Sequence, residues 1–247
     1  MDLGIAGKRA VVAASTSGLG LATATALADA GCQVVVNGRT QERVAATAAE
    51  LAGAVGVAGD LSTRQGAEAF IEASTAALGG IDILITNAGG PPPGNFGETD
   101  IEAYSAALEM NLVAMAAMCK QVVPGMQQQQ WGRIVAITST SVHTPMPNLI
   151  LSNTARSGLT SLLKTLALEV VGDGITVNTA QPGLHLTPRV TDLYEGSLED
   201  LASAQPTGRV GDATDFGQVV AFLCSEQANY ITGVSVPVDG GRFTQLQ

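Results

Sequence analysis

The stretch Val11-Val12-Ala13-Ala14-Ser15-Thr16-Ser17-Gly18-Leu19-Gly20 decides the fold. An apolar segment, Ala10–Ala14, has strand character and runs into a Ser- and Gly-rich turn; Leu19–Ala30 behind it has helical period. Glycines at a strand-to-helix turn near the start of a chain let backbone N–H groups approach a pyrophosphate closely, and the helix dipole favours that charge. The turn is therefore read as a dinucleotide-phosphate site, with Ser15, Ser17, Gly18, Leu19 and Gly20 as its contacts.

Outward from this turn the same alternation repeats. Strands are predicted at Gln33–Asn37, Val55–Ala58, Ile83–Thr86, Ile134–Ser139, Thr176–Thr179 and Ser235–Val238. Helices are predicted at Gln41–Leu51, Arg64–Leu78, Ile101–Met126, Ser152–Val171 and Ala213–Leu223. Gly31 and Gly79-Gly80 stop the first and third helices. Strict strand–helix alternation implies right-handed crossovers and a doubly wound, seven-stranded parallel sheet of Rossmann type, one α/β domain over residues 1–247. Two stretches break the rhythm, Gly89-Gly90-Pro91-Pro92-Pro93-Gly94 and the polar segment from His185 to Thr207; long connections after strands are where such sheets bind ligands.

Composition narrows the function. Apolar residues make up 46% and aromatics 4%, which suits a sheet covered by Ala-rich helices. A net charge of −10 argues against nucleic acid and anionic membrane as partners, so any phosphate must be held locally. Cys32, Cys119 and Cys224 are dispersed and read as buried thiols; two histidines 42 residues apart give no metal site. The N-terminus has no signal-peptide pattern, and no window approaches the roughly 18 uninterrupted apolar residues of a membrane span, so a cytoplasmic location is expected.

The second strand ends Asn37-Gly38-Arg39-Thr40, with no acid between Gln33 and Gln41. An acid about 20 residues beyond a dinucleotide loop takes the ribose hydroxyls of NAD, and an Arg there accommodates a 2′-phosphate. Arg39 lies 19 residues after Gly20, so the sequence favours NADP(H) over NAD(H).

Several spaced motifs now coincide, and over roughly residues 5–242 the chain resembles the short-chain dehydrogenase/reductase family, most of all its 3-oxoacyl-acyl-carrier-protein reductase type. The resemblance rests on the glycine turn at Ala13–Gly20, Asp60-Leu61, Asn87-Ala88-Gly89, Asn111, Ser139, Pro182-Gly183 with Thr187, Tyr230-Ile231-Thr232-Gly233 and Asp239-Gly240-Gly241. It implies cofactor contacts from Asp60, Leu61, Asn87, Ala88, Gly89, Pro182, Gly183, His185 and Thr187, and catalytic roles for Asn111 and Ser139. It also implies a homotetramer paired through the helices at Ile101–Met126 and Ser152–Val171.

The departures bear on the chemistry. The family's first loop glycine is Ala14, which suits the turn if φ stays negative. Thirteen residues after Ser139, where the family places a Tyr and then a Lys four residues on, the chain reads Ser152-Asn153-Thr154-Ala155-Arg156. A phenol near pKa 10 can be tuned toward neutrality, whereas an aliphatic hydroxyl is a far weaker acid; Arg156 keeps the charge and a hold on the cofactor ribose but does not release a proton. General acid catalysis contributes about 10² to 10⁴ in rate, so loss of the Tyr predicts a slowed reductase rather than an inert one. His143 is the first candidate for a replacement acid, ahead of His185 and then Tyr194, with a water held by Ser139 and Ser152 as a further route. Leu149, Leu151, Leu184 and Tyr194 are expected to make the substrate pocket largely apolar. The function expected is an NADP(H)-dependent oxidoreductase acting on a small-molecule carbonyl, 3-oxoacyl-like by resemblance, or on a secondary alcohol. The alternatives are a dinucleotide-binding protein with little redox activity, or a non-redox lyase on the same scaffold.

Overall fold

The computed structural model describes residues 1–193 and 196–244. Seven parallel strands form one sheet in the order β3-β2-β1-β4-β5-β6-β7: β1 (Arg9–Val12), β2 (Gln33–Gly38), β3 (Val55–Ala58), β4 (Ile83–Thr86), β5 (Gly132–Ile137), β6 (Ile175–Pro182) and β7 (Ser235–Val238). The order reverses between β1 and β4, so the C-terminal ends of those strands open a crevice at the switch point.

Successive strand residues point to opposite faces, and here both faces are covered, which explains the near-continuous apolar runs. Val11, Leu84, Ile134 and Val177 pack under α3 (Arg64–Leu78), α5 (Ala114–Gln129) and α6 (Ile150–Val170). Val12, Val36, Ile85 and Val135 pack under α1 (Gly18–Asp29) and α9 (Ala213–Leu223), with Val44 of α2 (Gln41–Glu50) joining them.

The predicted helix at Ile101–Met126 is α4 (Ile101–Leu108), a π-helical turn (Glu109–Val113) and α5 in continuous succession. That 29-residue rod is long and apolar enough to cross a membrane, but Met115, Met118, Val122 and Met126 face the sheet core. The segment from His185 to Thr207, expected to be irregular, contains two short helices, α7 (Pro188–Leu193) and α8 (Leu198–Ser203). α8 starts from a reciprocal capping box between Ser197 and Asp200, which satisfies two N-terminal donors. The bonds Leu186 N–H to Gly211 O (2.9 Å) and Gly211 N–H to Leu184 O (2.9 Å) close the neck of this excursion.

All three cysteines are free and buried, and burial pushes the Cys32 and Cys119 thiols up to about 12. Among the described residues no three His, Cys, Asp or Glu side chains cluster as metal ligands.

Candidate active site

The glycine turn is braced from the next strand. Ala14 N–H donates to Asn37 Oδ1 (3.1 Å), and Asn37 Nδ2 reaches Val57 O (3.2 Å) and Gly59 O (3.3 Å), so one buried amide ties the ends of β1, β2 and β3 together. The Ser15 hydroxyl donates to Val12 O (2.7 Å) and accepts from Asn37 N–H (2.9 Å). Ser15 is fully buried, so its side chain shapes the turn from within instead of contacting a phosphate as expected. Asn37 was missed by sequence reasoning, which used its position only to note that no acid is present.

Ala14 sits at φ 47°, in the left-handed region, so the condition of a negative φ under which Ala suits the turn is not met. The conformation costs an L-residue roughly 1–2 kcal/mol and is held by the Asn37 bond and by Asn87 Nδ2 donating to Ala14 O (3.3 Å). At Gly20 the demand is for space: a Cβ would lie 2.3 Å from Ala14 O and 2.9 Å from Asn87 Nδ2. Ser17 caps α1 without a side-chain hydrogen bond, and the first turn carries no acid, leaving its N–H groups for an external anion.

Arg39 follows β2 and is exposed, and none of the ion pairs among the described residues involves it. Asp60 is exposed, its Oδ1 accepting from Ser62 N–H (3.0 Å). Leu61, expected beside the adenine, is a core residue at 6% exposure, leaving only its backbone for that role. Ala88 is half-buried against the core, and Gly89 is exposed. Pro182 ends β6, Gly183 N–H donates to Val238 O (3.0 Å), and Thr187 lies over the turn, its Cγ2 3.5 Å from where a Cβ on Gly18 would stand.

His185 is buried at 5% exposure, edge-on to Phe216 with ring centroids 5.2 Å apart. Burial lowers its pKa against the raising effect of the Gly183 carbonyl and nearby Asp212, Asp215 and Asp239. Its ring therefore belongs to the packing against α9, which corrects the expectation of a second replacement acid. Leu184 and Leu186 make the bonds to Gly211, which in a parallel bridge turns the backbone groups of His185 the other way.

The second half of the site is built on β5, α6 and the π-turn. Ser139 caps a short 3₁₀ turn (Thr140–Val142), its Oγ accepting from Ser141 N–H (3.1 Å). Ser152 and Arg156, one turn apart on α6, face the same way, and Arg156 Nε donates to Ser152 Oγ at 3.2 Å. Arg156 Nη1 donates to Ile137 O (2.9 Å) and Thr138 O (3.2 Å), fixing the guanidinium on the end of β5. Burial, then the charge of Arg189, pulls the Arg156 pKa down to about 10, so it stays cationic at neutral pH. Asn111 lies in the π-turn at 2% exposure with neither amide atom partnered by protein; Gln181, fully buried on β6, is in the same position. Such groups cost about 1–3 kcal/mol each unless a water or ligand meets them, and Gln181 was not anticipated.

His143 makes no hydrogen bond to Ser139, Ser152 or Arg156. It stacks on Phe243 (centroids 4.8 Å) and lines a groove of about 450 Å³ with Ser157, Ser161 and Lys164, on a different face of α6 from Ser152. Leu151 is a core residue at 4% exposure, whereas Leu149 and Leu184 are half-buried; Tyr194 lies outside the described residues.

A glycine turn opening α1, an arginine past β2 and a hydroxyl–guanidinium pair beside the switch-point crevice define a dinucleotide-binding α/β protein equipped for oxidoreduction. Residues 13–242 match the family model described as enoyl-(acyl carrier protein) reductase. The chain is 35% identical over 249 residues to human dehydrogenase/reductase SDR family member 4, covering 98% of this chain and 90% of that one. It is 33% identical to the 3-oxoacyl-[acyl-carrier-protein] reductase of Aquifex aeolicus, covering 98% and 100%. The crystal structure of Gluconobacter frateurii L-sorbose reductase with NADPH and L-sorbose superposes with a TM-score of 0.93 at 33% identity over all of both chains. The NADPH-dependent reductase YwfH of bacilysin biosynthesis gives 0.92 at 28% identity, over 98% of this chain and all of that one. The chain belongs to the short-chain dehydrogenase/reductase family.

Proposed function

We propose that the protein is an NADP(H)-dependent oxidoreductase, one NAD(P)-binding domain over residues 1–247, that reduces a small-molecule carbonyl, 3-oxoacyl-like, or oxidises the corresponding secondary alcohol. The NADPH of the sorbose reductase complex and the NADPH dependence of YwfH support the cofactor, and the exposed Arg39 beside the glycine turn supports a 2′-phosphate contact. NADPH supplies the hydride when bound; Ser17, Gly18, Leu19 and Gly20 would hold its pyrophosphate through backbone N–H groups, and Asp60, Asn87, Gly89 and Thr187 would border it.

The observation that carries the reading is the bond from Arg156 Nε to Ser152 Oγ at 3.2 Å. Because Oγ accepts from the guanidinium, the serine O–H is left to donate to a substrate oxygen, made somewhat more acidic by the adjacent charge. Ser139 would be the second hydroxyl for that oxygen, and the buried, unpartnered Asn111 amide would hold a water on the proton route. His143 enters this scheme only through movement of the loop that carries it.

A homotetramer is part of the reading: Ile101 on α4 and Leu168 on α6, 74% and 69% exposed, give the helices of the expected interface uncovered apolar residues. A cytoplasmic location is supported by the buried free thiols.

The test is titration of the purified protein with NADPH and NADH by nicotinamide fluorescence, followed by turnover of 3-oxoacyl thioesters and quinones. NADPH is expected to bind tighter than NADH by at least about 10-fold and to be oxidised, and Arg39→Ala to erase the difference. Binding without oxidation across the panel would sink the reductase reading.

A further inference from the structure

We propose that Arg156 and Arg189 together seat an anionic group, a carboxylate or a phosphate, on the carbonyl substrate. The inference deepens the reductase reading and rests on it for the word substrate, but not for the anion.

Both guanidiniums are held by neutral groups. Arg156 is bound to Ser152 Oγ, Ile137 O and Thr138 O. Arg189, on α7, donates through Nη1 to Gly90 O and through Nη2 to Pro91 O, each at 3.3 Å. The guanidinium lies close on the loop: a Cβ on Gly90 would stand 2.2 Å from Arg189 Nη2, so the glycine in the Gly-Gly-Pro-Pro-Pro-Gly stretch leaves room for the arginine in this position. This gives that motif a role that its sequence alone did not reveal.

The two elements converge. Gly90 follows β4 and Ile137 ends β5, and these strands are direct neighbours, with Thr86 registered against Ala136. Both cations therefore stand over the C-terminal ends of adjoining strands, where open α/β sheets receive ligands. They sense each other, since the charge of Arg189 is second only to burial in lowering Arg156.

Neither takes part in an ion pair among the described residues, where the pairs are Arg9–Asp82, Arg64–Glu68 and Arg133–Glu226. With 22 acidic residues against 12 basic ones, two arginines that share no carboxylate partner among the described residues stand against the composition of the chain. Arg156 is half-buried and Arg189 exposed; their like charges repel, and a bidentate anion between them reverses the sign of that interaction.

The cofactor's own anions have other places. The start of α1 suits the pyrophosphate, and Arg39 beyond β2 suits the 2′-phosphate, both on the β1–β2 side of the sheet. The arginine pair is on the β4–β5 side with Ser152, where the group being reduced must lie. The substrate class that follows is a keto acid or a keto phosphate, its anion a few bonds from the carbonyl.

The test is equilibrium binding to the NADP⁺-loaded protein, which cannot reduce the probe. Acetoacetate, methyl acetoacetate and inorganic phosphate are titrated calorimetrically into wild type and into Arg189→Gln. Acetoacetate is expected to bind at least about 10-fold tighter than its ester, with Arg189→Gln removing that preference while NADP⁺ affinity stays unchanged. Phosphate that displaces acetoacetate supports one shared seat; phosphate binding without acetoacetate binding assigns the seat to a phosphorylated substrate. Equal affinity for acid and ester with no phosphate binding overturns the proposal, as does a preference that survives Arg189→Gln or a loss of NADP⁺ affinity equal to the loss of acid affinity. An anion preference without NADPH oxidation by any carbonyl would refute the reductase reading and leave the seat standing.

Discussion

Ala14→Gly is expected to stabilise the protein, against the usual direction of an Ala-to-Gly change. Ala14 is held at φ 47°, where an L-residue carries roughly 1–2 kcal/mol of steric penalty that glycine does not. Glycine increases the freedom of the unfolded chain, which subtracts about 0.4–1 kcal/mol. The difference is a net gain of about 0.5–1 kcal/mol, or roughly 1–4 °C in Tm for a chain of this size. The bonds that fix the residue run through its backbone, to Asn37 Oδ1 and from Asn87 Nδ2, so the substitution leaves them in place. Ala73→Gly is the control, on the exposed side of α3, where glycine costs about 1 kcal/mol and lowers Tm. Both variants are melted without cofactor by circular dichroism. A fall in Tm for Ala14→Gly matching that of Ala73→Gly would refute the left-handed strain and the account of the turn built on it.

Ser152→Tyr combined with Arg156→Lys is expected to raise kcat for carbonyl reduction by about 10² to 10⁴, the contribution of a tuned general acid; an unchanged kcat would show that proton donation does not limit this site. The wild-type pH–rate profile is expected to be flat from about 6 to 9, because burial lowers the Arg156 pKa only to about 10 and leaves the guanidinium charged across that range. A midpoint near neutrality that disappears in His143→Ala would instead place His143 in the reaction. Away from the site, burial would raise the Asp82 pKa, but hydrogen bonds from the Arg9 side chain and backbone outweigh it and hold the carboxyl below its usual value. Its stabilising contribution is complete above the unfolded value near 4 and is lost as pH falls through the depressed folded value. Asp82→Asn should therefore flatten the acid limb of a Tm-against-pH curve, and a curve parallel to wild type below pH 4 would contradict the pairing.

What could be read from the sequence followed the locality of its cause. β3, β4, β7, α3 and α9 have the predicted limits because each is an apolar or periodic run bounded by its own punctuation, such as Thr63 before α3 and Gly79 after it. α7 and α8 were overlooked because six-residue helices carry too little periodicity, although Ser197-Leu198-Glu199-Asp200 is a capping signature in plain view. The site residues divide in the same way. Gly20 was found from its turn, whereas Asn37 gains its role only when the strand order brings Val57 and Gly59 within reach. His185 was read as facing the cofactor, and it is the aromatic ring of Phe216, 31 residues away, that takes it into the core. Arg189 lies 99 residues from the carbonyl of Gly90 to which it is bound, a pairing that no local pattern announces.

The pair on α6 also acts through its charge. A tuned phenol serves a carbonyl by giving up a proton as negative charge grows on the oxygen; a guanidinium serves it by staying charged. With pKa about 10 Arg156 remains a cation throughout the physiological range, and its bonds to the end of β5 fix its direction before any substrate arrives. Such a fixed charge stabilises an oxyanion without reorganisation, and it also draws in any anionic group the substrate carries. Arg189 sharpens that second effect from the loop after the neighbouring strand β4, its direction set by the carbonyls of Gly90 and Pro91. On the proposed reading, Ser152 and Arg156, the Pro-rich loop and α7 act together, moving the work of the site from proton donation toward electrostatic recognition.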